Sequence, residues 1–269
     1  MKKYLLGLLV FSASVVSFKN ASAKSELPGG STFKSLLPQK LGNNASNRQV
    51  DSIYQKMHLQ AFGLKKDIFY NAFKGFEYLK SRGMLDKDNI LTIADYSQSS
   101  HNRRFYVIDF EKGELVFNTY VSHGKNSGSE YANSFSNSDN SNKSSCGFLV
   151  TGEPYSGRAG RSLHLKGVEP GINDHVYRRS IVLHGSYYVN SERADEGTMM
   201  GRSLGCPAVP YGEQFAIINY IKGGSCMFIA TEDTKYLATS KILNSAFESG
   251  DSKTLLAEKE NGKESKGLL

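Results

Sequence analysis

Between residues 50 and 79 apolar side chains recur at helical spacing, first Val50, Ile53, Tyr54 and Met57, then Phe69, Phe73, Phe76 and Leu79 after a break near Gly63. The spacing predicts two amphipathic helices ending near Gly83, with their aromatic stripe packed on a following sheet. After Asp88 the chain turns to short runs rich in β-branched and aromatic residues, at 90–94, 105–110, 115–121, 148–151, 162–165, 181–183 and 226–230. Glu111-Lys-Gly-Glu114 separates two of these runs and places a glycine where a tight turn needs positive φ, so the flanking strands form a hairpin. One more helix fits 212–221, stopped by Gly223-Gly224. The fold class read from this pattern is mainly β with a helical N-terminal preface.

Three stretches lack such periodicity. Residues 24–49 are rich in Gly, Ser, Asn, Pro and Lys and read as a flexible lead-in. Between Ser122 and Ser145, 16 of 24 residues are Ser, Asn or Gly, which marks a long loop of the kind that is functional or disordered. The end of the chain mixes Lys, Glu and Ser and reads as a polar tail. At the other end, Lys2 and Lys3, an apolar run over 4–18 and Ala21-Ser-Ala23 match a secretory signal peptide cut after Ala23. The run is too short to span a bilayer, which takes about 20 apolar residues. The expected plan is therefore signal peptide 1–23, lead-in 24–49, helical preface 50–84, one β-rich domain over 85–232 and polar tail 233–269. The product would be exported, periplasmic or secreted, with no membrane anchor left after cleavage.

With 39% hydrophobic residues over 269 positions the chain has material for a proper core. Its formal charge of +7 falls to +4 once Lys2, Lys3 and Lys19 leave with the leader, too mild to argue for a nucleic-acid partner. Three cysteines, an odd number, leave at least one thiol free in an oxidising compartment. Cys226 and Cys146 sit in or beside apolar strand runs and read as buried inert thiols. Cys206 is different. It lies in Gly201-Arg-Ser-Leu-Gly-Cys-Pro-Ala208, 22 positions after a histidine that ends the apolar run Ile181-Val-Leu-His184-Gly185. A cysteine nucleophile reacts as thiolate and wants an imidazole within hydrogen-bond reach, so His184 is the candidate base for Cys206. Pro207 has no N–H, so an oxyanion hole here would draw on the amide of Gly205 or Cys206 or on a more distant group.

These residues resemble the signature of the L,D-transpeptidases, cysteine enzymes that remodel bacterial peptidoglycan, in which a histidine-glycine pair precedes a Ser-x-Gly-Cys turn. The chain is most similar to the branch that reads G-R-S-x-G-C-P-A. The likeness also takes in Val121-Ser-His-Gly-Lys-Asn-Ser-Gly128, Ser134-Phe-Ser-Asn137, Gly147-Phe-Leu-Val-Thr-Gly-Glu153, Gly160-Arg-Ser-Leu163 and 217–228, and runs over approximately 67–229. It implies the family's β-sandwich-like catalytic domain, no cofactor, and peptidoglycan stem peptides as partners. Cys206 would attack the carbonyl of the third stem residue, typically diaminopimelate, release the terminal D-alanine and hold the acyl group as a thioester. An amine would then take it, giving a 3-3 cross-link or another amide, or water would take it, giving carboxypeptidase trimming.

The widespread form of the family has histidine where this chain has Leu204 and arginine where it has Ala208. A substrate carboxylate would then need another cation, and Arg202, Arg161 and Lys125 are candidates on charge alone. Gly185 and His123 are candidate substrate contacts, His123 alternatively supporting the site from behind, and Ser203 either orients the turn or bonds the substrate. Three other readings stay open: zinc held by His123, His184 and Cys206; a catalytically silent wall-binding protein; and a general cysteine peptidase.

Overall fold

The computed structural model describes residues 43–245; the expected signal peptide, most of the lead-in and the end of the tail lie outside the described residues. Helices α1 (Asn43–Lys56) and α2 (Lys66–Ser81) are separated by a 3-10 turn (Leu59–Phe62) that ends at Gly63. Eight strands follow: β1 (Lys87–Asp95), β2 (Phe105–Asp109), β3 (Glu114–Thr119), β4 (Gly147–Gly157), β5 (Gly160–Gly167), β6 (Val182–Ser186), β7 (Ala208–Pro210) and β8 (Ser225–Ala230). The one-turn helix α3 (Ser191–Asp195) precedes β7, α4 (Gln214–Ile221) precedes β8, and α5 (Thr234–Thr239) and α6 (Lys241–Asn244) close the described chain.

All eight strands form one sheet in the order β3-β2-β1-β8-β4-β5-β6-β7, antiparallel except for the parallel pairs β1/β8 and β6/β7. The first and last strands of that order come together, because Ser122, just past β3, exchanges backbone hydrogen bonds with Ala208 of β7 at 2.8 and 3.4 Å. The sheet is thereby nearly closed on itself, the mainly β, sandwich-like architecture expected of the sequence.

Strand alternation divides the core in two. Ile90, Ala94, Phe105, Val107, Leu149, Leu183, Met227 and Ile229 face inward, where α4 adds Ile217, Ile218 and Ile221. Leu91, Ile93, Tyr106, Ile108, Phe148, Cys226 and Phe228 face outward and are covered by Ile53, Phe69, Phe73 and Phe76 of the first two helices. The preface is thus part of the same folded body. Each fully buried aromatic or aliphatic side chain adds about 1.5–3 kcal/mol, which secures helices whose own caps contribute no side-chain bond at Lys65.

Two boundaries and one short strand differ from the sequence expectation. Helix α1 starts at Asn43, inside the expected lead-in, because its first turns carry polar residues that give no periodic signal. The strand β7 spans only three residues and ends in Pro210, too little pattern to read. The tail folds back through residue 245, burying Tyr236, Ile242 and Leu243. Its anchor is the buried carboxylate of Glu169, which accepts from Phe148 N–H at 2.8 Å, Tyr236 O–H at 3.2 Å and the Ser240 hydroxyl. Burial raises the Glu169 pKa, while those donors pull it back.

Candidate active site

The chain brings His184, on β6, and Cys206, in the turn leading into β7, to one end of the sheet. β6 and β7 run parallel with His184 opposite Ala208, and His184 N–H donates to the Pro207 carbonyl at 3.3 Å. Cys206 lies two residues ahead of Ala208, the residue that faces His184 across the β6/β7 pair. His184 Nδ1 lies 2.9 Å from the Gly185 carbonyl. A carbonyl can only accept, so the neutral ring carries its proton on Nδ1 and Nε2 keeps a lone pair, the tautomer a general base needs.

Cys206 is half-buried. Val182 N–H donates to its Sγ at 3.5 Å, and the thiol reaches the Ser180 carbonyl at 3.7 Å. Burial pushes the thiol pKa up, against smaller downward pulls from the Val182 amide, the Arg179 guanidinium and the residue's own amide. The resting sulfur is therefore a protonated thiol rather than a preformed thiolate. Cys146 and Cys226 are buried as expected; burial pushes the Cys146 thiol up to about 12 and that of Cys226 higher still.

The turn before the cysteine is fastened by its own serine. Ser203 Oγ accepts from Gly205 N–H at 3.0 Å and donates to the Cys206 carbonyl at 2.6 Å, so Ser203 orients the turn. The Gly205 amide is consumed by that bond and drops out as an oxyanion donor. What remains in the turn is Cys206 N–H, which among the described residues makes no hydrogen bond beyond its own side chain. Gly205 has φ +130°, and a Cβ there would lie 2.8 Å from both the Lys143 carbonyl and Ile181 Cδ1. At Gly124 a Cβ would lie 2.7 Å from the Asn142 carbonyl and 2.8 Å from Gly205 Cα. Ser144 links the same segments, its hydroxyl donating to Gly205 O at 3.0 Å and accepting from Gly124 N–H at 2.9 Å. The long Ser-Asn-Gly stretch is thus an ordered wall of the cysteine turn, its small side chains allowing backbones to touch.

Several expected contacts are placed elsewhere. At Gly185 a Cβ would meet Gln214 Oε1 of α4 at 2.0 Å, and the Gly185 carbonyl faces His184 Nδ1. His123 is 1% exposed. Its Nδ1 accepts from the Arg104 guanidinium at 2.9 Å and its Nε2 faces Gly128 O at 3.4 Å, leaving neither nitrogen free for zinc. Burial, helped by the Arg104 charge, lowers its pKa to about 4, and its backbone carbonyl accepts from Ser203 N–H at 3.0 Å. Arg202 is exposed but spends one guanidinium nitrogen on the Lys125 and Gly128 carbonyls at 2.9 and 2.8 Å, clamping the turn to the wall. Arg161 reaches α4 instead, bonding Asn219 Oδ1 at 2.7 Å and stacking over Phe215 at 4.8 Å. Lys125 is exposed.

Two arginines escaped the sequence reading. Arg104 is fully buried, donating to the Val121 carbonyl at 3.1 and 2.9 Å and to Gln98 O at 2.7 Å beneath the segment that carries His123. Burial lowers its pKa to about 10, so it stays charged at neutral pH. Arg179 ties the wall to the strand leading to His184, donating to Ser136 O, Ser145 Oγ, Ser141 Oγ and Lys143 O at 2.5 to 3.0 Å. Beside it a cleft of about 470 Å³ opens between Asp139, Asn142, Arg179, Ser180, Ile181 and Leu204. No spacing rule marks either arginine; each is the second of an Arg-Arg pair in irregular chain.

Residues 60–230 match the model of the L,D-transpeptidase catalytic domain. The chain belongs to the L,D-transpeptidase family. The match begins ahead of α2, so that helix counts with the catalytic domain rather than with a separate preface. Among solved structures, an L,D-transpeptidase from Mycobacterium smegmatis is 12% identical, with a TM-score of 0.34, over 53% of this chain and 59% of that one. The L,D-transpeptidase of Stackebrandtia nassauensis is 11% identical, with a TM-score of 0.33, over 76% of this chain and 90% of that one. The aligned part spans 59% of the Mycobacterium smegmatis chain, and no curated protein sequence matches. Among the described residues no helix is long and apolar enough to cross a membrane.

Proposed function

We propose that this L,D-transpeptidase family member is an exported, cysteine-dependent acyltransferase acting on peptidoglycan stem peptides. Cys206 is the nucleophile and His184 the general base. The observation that carries the reading is the His184 tautomer, with Nε2 left as acceptor on the strand beside a half-buried thiol. His184 Nε2 takes the Sγ proton as sulfur bonds to the carbonyl carbon of the third stem residue. The Cys206 amide steadies the oxyanion, and the bond to the terminal D-alanine breaks as His184 returns the proton to the leaving amine. An acceptor amine then attacks the thioester, loses its proton to His184, and the sulfur leaves to be reprotonated. Because the resting thiol is protonated, deprotonation belongs to the reaction step, once a substrate excludes water from the cleft.

The proposal predicts that purified mature protein incubated with a disaccharide-tetrapeptide releases D-alanine and forms a cross-linked dimer, and that Cys206→Ala does neither while keeping its melting temperature. Release without dimer assigns the trimming activity instead. Release that survives Cys206→Ala overturns the mechanism.

A further inference from the structure

The cleft beside Cys206 has an apolar end and a charged end. Leu204, 65% exposed, and Ile181 flank the cysteine turn. Asp139 and Arg178 stand in the same cleft as an exposed ion pair at 3.1 Å, and Arg178 is also held 3.0 Å from His175 Nδ1. An exposed pair of this kind contributes little to stability, so its two charges are free to exchange partners. The backbone singles out the same place. Of four non-glycine residues with left-handed φ among those described, Asn140 (55°), Asn142 (53°) and Ser180 (53°) all line it. Such conformations cost energy and gather where function holds them.

We propose that Asp139 and Arg178 read a zwitterionic amino-acid group at the end of the donor's third side chain, Asp139 taking the ammonium and Arg178 the carboxylate. A side chain with a few methylenes running from the reacting carbonyl would lie along the exposed Leu204 and end on the pair, each charge of the ligand replacing one partner of the resting bridge. The terminal amino-acid group of a diamino-dicarboxylic residue has this form; lysine lacks the carboxylate. This rests on the acyl-transfer reading above and adds the residues that select the donor.

The test is acylation of Cys206, followed by intact-protein mass, with three tetrapeptide donors: diaminopimelate in the third position, the same residue with its side-chain carboxylate amidated, and the same residue with its side-chain amine acetylated. Wild type is expected to prefer the first by about tenfold or more in kcat/KM over each analogue. Arg178→Gln should shrink the preference over the amide to under about threefold and Arg178→Lys should keep most of it, while Asp139→Asn should shrink the preference over the acetyl analogue. Equal use of all three donors by wild type, or preferences unmoved in the variants, overturns the proposal. If wild type is acylated by none of them, the acyl-transfer reading fails and this one falls with it.

Discussion

The helix face and the cysteine turn each hold a glycine, Gly75 and Gly205, and the two are required for opposite reasons. Gly75 lies in α2, where a Cβ would fall 1.9 Å from the ring of Phe148; its missing side chain is filled by the aromatic core between helices and sheet. Gly205 has φ +130°, and a Cβ there would meet the Lys143 carbonyl as closely as Ile181 Cδ1, so backbone itself fills part of its missing side chain's place. The helix side is held by area: Phe69, Phe73, Phe76, Phe110, Phe148 and Phe228 are all essentially fully buried. The cysteine side is held by count, through Ser127, Ser144 and Ser203, each supplying bonds to backbone, above Arg104 and His123. Burial secures stability with tolerance of detail, whereas a hydrogen-bonded cradle fixes atoms and so positions a nucleophile.

The contrast predicts different failures on the two sides. The largest concerns acid. His123 is neutral when folded, with its pKa lowered to about 4 from 6.5, so its contribution is complete above pH 6.5, fades as pH falls toward 4, and amounts to about 3 kcal/mol in full. Glu77, on the helix side, has its pKa raised by burial to about 7, so its contribution is present below pH 4.5 and lost as pH rises toward 7. NMR titration should find the His123 ring neutral down to about pH 4 and Glu77 protonated well above the usual carboxylate range; His123 titrating near its ordinary value would show the cradle to be wet and loose. Next, Gly205→Ala should lower the rate of Cys206 acylation about 100-fold, more than its effect on the melting temperature would suggest. Smallest is Gly75→Ala, which in an open helix would stabilise by about 1 kcal/mol but here should cost about 2 in urea unfolding, with acylation kinetics unchanged. Exchange of those two outcomes would dissolve the distinction.

The two sides were also unequally legible. The apolar periodicity of 50–79 and the alternating strands rest on burial, which leaves its mark on composition, so both helices, seven strands and the Gly113 turn are readable. His184 and Cys206 stand out in the sequence because three cysteines leave one thiol over and the His-Gly and Ser-Leu-Gly-Cys motifs single out this pair. The cradle left no such mark: Ser144 and Arg179 look like ordinary loop residues, and only folding brings the Arg179 clamp to the cysteine turn. Charge alone pointed to Arg161, yet strand alternation turns its side chain toward α4 and away from the face that carries His184. His123 drew attention as a polar residue at a loop mouth, where burial against Arg104 makes it a support.

The central claim, that Cys206 is the nucleophile and His184 its base, is tested most directly by single-turnover acylation with a tetrapeptide donor, read as intact-protein mass for wild type and His184→Ala. The account predicts an adduct of the donor less D-alanine on Cys206 in wild type, formed about 1,000-fold more slowly in the variant and recovering toward alkaline pH as the thiol ionises unaided. An adduct on another residue, or one that forms as fast without His184, would contradict it.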